Sequence, residues 1–209
     1  MNELSEFECR FSDLGLIVVI FVKSYTGGLL NFMEKIMTTT LSNVSIPAFQ
    51  NVLGNLAHLI EKAQLDSKTR GFDSKVLVDF RLAPDMLPLK NQILIACDAA
   101  KLCVARISGL EAPKFPDSES SLEDLQSRIQ KTLDWIKSVP TNALDGLEEK
   151  QITFPVGKEA TKTMKALDYV SFWALPNVYF HVTTAYNILR HNGVQIGKRD
   201  YLVGSRDLV

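Results

Sequence analysis

The sequence predicts an all-α fold, an antiparallel four-helix bundle with a small extended or hairpin excursion before the last helix. Four segments repeat apolar residues at i, i+3, i+4 and i+7, the spacing that gives a helix one buried face. Each is punctuated by Ser, Pro or Gly where helices start and stop. Long connections join them, and in the last one, between 141 and 167, the pattern changes to a small hairpin or paired excursion.

The first core helix is expected from about Pro47 to Leu65, with Ser45 as its cap. Phe49, Val52, Leu53, Leu56, Ile60 and Ala63 share one face. His58 falls nearly opposite the centre of that face and reads as a solvated histidine, so it is set aside as a ligand. Residues 66–87 read as a connection with a short extended piece, Lys75–Phe80. The second helix should run from Pro88 to Ser108 and stop at Gly109. It is apolar almost all round, with Asp98 set among Leu94, Ile95 and Leu102. A carboxylate there needs a partner, because unpaired burial is costly. The structural reading pairs it with Lys101 at i+3, and the functional reading points it into a cleft as a metal ligand or general base. The structural reading takes precedence.

The third helix follows from Ser121 to Val139, opened by a capping-box pattern in which Asp124 replaces the usual Glu and closed by Pro140. Gln151–Val156, Gly157 and a second run near Lys162–Leu167 read as the hairpin. Asp168–Ala174 is a helical turn leading to the best-punctuated helix, Leu175–Asn192, with Pro176 in its first turn and Gly193 as a left-handed cap. Val178, Val182, Ala185 and Leu189 form its stripe, and His181 stands on the shoulder of that stripe, one turn after Asn177. His191 should face water near the helix C-terminus. Residues 193–202 are too apolar to be left loose and should fold back on the bundle.

Residues 1–36 do not match this pattern and read as an N-terminal extension outside the natural domain, which is then 37–209 beginning at Met37. An extra strand or helix docked on the bundle is the alternative. The apolar run Leu14–Val22 is too short to span a bilayer, and Glu3, Glu6 and Glu8 precede it where a secretory signal would be basic. No membrane partner is expected. A net charge of −1 gives no electrostatic case for nucleic acid. Cys97 and Cys103 lie on one helix with roughly 9 Å of rise between them, beyond the reach of a disulfide. A reducing, cytoplasmic location fits.

The run Leu175-Pro-Asn-Val-Tyr-Phe-His-Val-Thr-Thr-Ala-Tyr-Asn-Ile-Leu-Arg-His-Asn-Gly-Val194, with Gly197–Leu202 and Leu82–Leu89, resembles an uncharacterised bacterial and fungal family of the DinB/YfiT-like bundle superfamily. The resemblance covers about Met37 to Leu202. It implies a four-helix bundle, often a homodimer, and in many relatives a divalent-metal site of three histidines, one on the second helix and two on the last at i, i+4. Some metal-bearing relatives are thiol-dependent transferases or isomerases, whereas the family itself has no established activity. Carried over residue by residue, the ligands fall on Asp98, Asn177 and His181, so one histidine of the three remains. Asn is a poor ligand for zinc or nickel. The set could hold a weakly bound divalent metal with waters, or serve without metal as an acid/base pair of Asp98 and His181. The expected cofactor is none. Asn177 could also bond locally near the helix start, and His181 could be tied to a carboxylate or carbonyl.

Two functions stay open. One is a small-molecule enzyme or ligand-binding protein with a degenerate metal site between the second and last helices, walled by Trp173, Tyr179 and Tyr186. The other is a non-catalytic, dimerising or stress-associated bundle whose ancestral metal site has decayed.

Overall fold

Thr40 opens the first helix: its hydroxyl accepts the Asn43 N–H at 3.3 Å, and the helix then runs as α1 over Leu41–Arg70. It is longer at both ends than Pro47–Leu65. Ser45 is not the cap, because its hydroxyl donates back to the Leu41 carbonyl at 2.6 Å. Pro47 sits inside the helix, and Gly71 ends it at φ 70°, in the left-handed region. The structure, a computed structural model, describes residues 39–157 and 159–204. The 1–36 extension and the Met37 boundary lie outside the described residues.

The extended piece expected at Lys75–Phe80 is instead a short helix, α2 (Lys75–Asp79). Leu77 and Val78 are both buried where this short helix packs on the helix that follows it. The Asp73 carboxylate accepts the Lys75 N–H at 2.9 Å and starts the turn. Helix α3 (Leu89–Ser108) ends at Gly109, as punctuated. Helix α4 (Leu122–Ser138) carries the reciprocal capping box of Ser121 and Asp124, so the shorter Asp serves where Glu is usual. Strands β1 (Gln151–Val156) and β2 (Ala160–Lys165) pair antiparallel from Gln151↔Lys165 to Val156↔Ala160, with Ile152 and Phe154 of β1 turned to the core.

The last helix starts at Leu175 with Pro176 in its first turn, as expected, but it is not a separate start. Helix α5 (Ala166–Tyr169) runs through a π-helical segment (Val170–Ala174) into α6 (Leu175–His191). Pro176 has no N–H to donate, and one residue before it the Leu175 N–H reaches back five residues to the Val170 carbonyl. The chain then folds back, as the apolar tail implied, and α7 (Lys198–Val203) packs on α1. This return corrects the reading of His58, which is bonded rather than solvated: its Nε2 lies 3.0 Å from Asp200 Oδ1, and its side chain is only 19% exposed. Desolvation works against the Asp200 charge, but Lys62, the Gly197 N–H and His58 together hold its carboxyl well below the usual range.

The long helices pack in a ring of neighbours, α3 on α4 and α6, α1 on α4 and α6. Their inward stripes merge into one core with Phe49, Leu53, Leu56, Ile93, Val104, Ile129, Val182 and Leu189 fully or almost fully buried. Among the described residues no helix is long and apolar enough to cross a membrane.

Candidate functional site

Asp98, Leu102 and Arg106 recur every four residues along α3 and so form one line of side chains. Opposite them the π segment presents Trp173 and Ala174, the next turn presents Asn177, and β1 adds Phe154 and Pro155. Together with Tyr169 these residues line a groove of about 210 Å³. Its wall is an aromatic stack: the Phe154 ring lies 4.6 Å from Tyr169 and 5.0 Å from Trp173, centre to centre. The extra residue per turn in a π segment shifts side chains out of the regular helical register, and such segments recur at functional sites.

Asp98 borders this groove but its charge is already engaged. Its Oδ1 lies 2.8 Å from Lys101 Nζ, the i+3 pair expected from the sequence, and 3.3 Å from Arg128 Nη2 on α4. Arg128, 2% exposed, also reaches Asp117 at 3.2 Å and Glu119 at 3.0 Å and donates to the Pro116 carbonyl. Both cations lie over the Phe115 ring, Lys101 Nζ at 4.5 Å and Arg128 Cζ at 5.1 Å. Burial opposes the charge on Arg128, yet Asp98, Glu119 and Asp117 raise its pKa above the ordinary value. The cluster pins the loop after α3 onto α3 and α4.

His181 is engaged elsewhere. Its Nδ1 is 2.7 Å from Gln92 Oε1, and Gln92 Nε2 donates to the Leu87 carbonyl at 2.9 Å. A carbonyl can only accept, so the Gln92 amide is fixed with its oxygen toward the ring, and His181 carries its proton on Nδ1. Burial holds the His181 pKa below its usual value, which keeps the ring neutral near pH 7. Gln92 precedes Asp98 by six residues, roughly 9 Å along α3. The structure thus brings Asp98 and Asn177 onto one groove and places His181 against Gln92, outside the residues that line it.

These residues do not fit a metal ion. Among the described residues no group of three or more His, Cys, Asp or Glu side chains is placed to hold one. Asp98 faces two cations, and Asn177 is a neutral, weak donor for the metals that favour imidazole. Of the three expected walls, Trp173 lines the groove, Tyr179 is exposed, and Tyr186 packs edge-on against Tyr201 at 6.0 Å. Sequence reasoning missed Gln92 and Arg106. Gln92 was detectable as a polar residue on the i, i+4 line of Ala96 and Ala100, and Arg106 as the third member of the Asp98–Leu102 line.

The same fold occurs in a crystal structure of a DinB family member protein from Shewanella denitrificans, which is 37% identical to this chain and matches with a TM-score of 0.73 over 81% of this chain and 95% of that one. The protein is therefore a DinB-like, mostly helical protein. Its residues 41–202 match the family described as "Domain of unknown function (DUF1993)", and the chain belongs to that family. No curated protein matches it.

Proposed function

We propose that α1, α3, α4 and α6 form the antiparallel four-helix bundle of this class, and that the groove between α3 and the π segment binds a small organic molecule without a metal. One observation carries this reading: Asp98 and Asn177 line the same aromatic-walled groove at the one place where the last helix departs from regular α geometry. A concave, largely apolar surface with a few converging polar groups is what a small ligand requires. In this reading Asn177 contacts the ligand, while Asp98, tied to Lys101 and Arg128, shapes the rim of the groove. His181 is a positioning residue that sets α6 against α3 through Gln92, in place of acid/base work. Cys97 and Cys103, both buried and unpaired, agree with a cytoplasmic location.

A thermal-shift screen of fragment-sized compounds tests the proposal. Binders should raise the melting temperature as RT ln(1 + [L]/Kd), and Trp173→Ala should abolish that gain. Binders whose stabilisation survives Trp173→Ala would contradict the site.

A second reading, a homodimer, is favoured by a different observation. Phe172, Tyr179 and Phe180 are 71%, 41% and 59% exposed on the outer side of the last helix, more aromatic surface than a solvated helix usually carries. A second copy of the chain is the proposed occupant. Sedimentation should give twice the chain mass and Phe180→Glu should return it to a single chain, whereas a wild-type monomer would end this reading.

A further inference from the structure

The groove holds a cation, Arg106, that no described residue neutralises. Among the described residues no carboxylate lies within 4.0 Å of the Arg106 guanidinium. Asp98, on the same line of α3, is committed to Lys101 and Arg128. The hydrogen-bond partner of Arg106 is the Tyr169 hydroxyl, which accepts from Nη1 at 2.6 Å. Tyr169 is 2% exposed, and its burial raises the phenol pKa, so this partner brings no negative charge. Guanidinium has five N–H donors, and one of them is spent on Tyr169. The rest of the group borders a groove whose other walls are Leu102, Phe154 and Trp173. A guanidinium held by a neutral partner beside apolar surface is suited to forked recognition of an anion.

Building on the small-molecule reading above, we propose that the groove takes an organic carboxylate, with its anionic group on Arg106, a single flat apolar ring against Trp173, and Asn177 at the far edge. The volume of about 210 Å³ lies below the range of about 300–1,000 Å³ typical of drug-sized pockets, which limits the body to about one ring system. A monoanion suits the site better than a phosphate. A phosphate dianion would need more positive charge than Arg106 supplies, and the Asp98 carboxylate on the same groove would oppose it.

Benzoate, benzamide and phenyl phosphate share a ring and differ in charge, so titrating the full chain with each, with amide NMR shifts as readout, separates the possibilities. Benzoate should bind about tenfold more tightly than benzamide and move the resonances of Leu102 and Trp173. Arg106→Gln should erase the preference, while Arg106→Lys should keep part of it because charge remains without the fork. Equal affinities for benzoate and benzamide at these residues would overturn the carboxylate inference and leave the groove standing. Tighter binding of phenyl phosphate would overturn it in favour of a dianion. Absence of shifts at Leu102 and Trp173 with all three would remove the groove and the inference together. The wild-type comparison needs no variant, so it decides even where Arg106→Gln does not fold.

Discussion

The α3–α6 seam has two ends that differ in kind. At one end His181, Gln92 and the Leu87 carbonyl satisfy each other in series, and the helices close over them. At the other, the π segment and β1 interrupt regular packing, and Asp98, Arg106 and Asn177 border an open groove. The first end has polar groups whose geometry is complete within the protein. The second has a cation with a neutral partner and a partly exposed Trp173 backed by the buried rings of Phe154 and Tyr169. Burial of a polar side chain therefore marks the seal, and departure from helical regularity marks the site.

The largest effect should come from the residue that shapes the open end. Phe154 is 1% exposed and lies between Tyr169 and Trp173. Phe154→Ala should cost about 3–5 kcal/mol in denaturant unfolding and collapse the groove. Loss of under about 1 kcal/mol would show that the aromatic stack is not a packed wall.

Gln92→Ala breaks the sealed end. It leaves the His181 Nδ1–H and the Leu87 carbonyl without partners and should cost about 1–3 kcal/mol, while ligand binding at the groove stays unchanged. Loss of binding with unchanged stability would reverse the roles assigned to the two ends.

A smaller effect, about 1 kcal/mol, is expected for Asp98→Asn, because Asp98 is partly exposed and Arg128 keeps Asp117 and Glu119. Amide exchange should quicken in residues 110–121, the loop that the cluster pins. Unchanged exchange there would show that the cluster does not hold the loop.

The smallest effect concerns pH. Burial depresses the folded pKa of His181, so the unfolded chain takes up the proton first as pH falls. Stability should be undiminished above about 6.5, the unfolded value, and decline below it until the folded pKa is passed. The decline should be shallower in His181→Gln. An identical pH profile in that variant would place the titration elsewhere.

Local signals carried much of the fold. Pro88 and Gly109 bracket α3, Ser121 and Asp124 open α4, the alternation at Ile152 and Phe154 marks β1, and Asp98 meets Lys101 at the helical spacing. The tertiary pairings had no such signal. His58 meets Asp200 across 142 residues, His181 meets Gln92 across 89, and Arg106 meets Tyr169 across 63. No periodicity encodes these meetings, which follow from how the helices pack. The extended piece expected at Lys75–Phe80 is instead the short helix α2, started where the Asp73 carboxylate accepts the Lys75 N–H. Pro176 was visible as helix punctuation, but the π segment before it depends on the chain entering from α5.

The most direct test of the central claim is a two-dimensional amide NMR map of where fragment-sized molecules bind the isotopically labelled full chain. Saturable shifts should cluster at Asp98–Arg106 and Trp173–Asn177, with Gln92 and His181 unmoved. Shifts centred on Gln92 and His181, or no saturable shifts near the π segment, would contradict it.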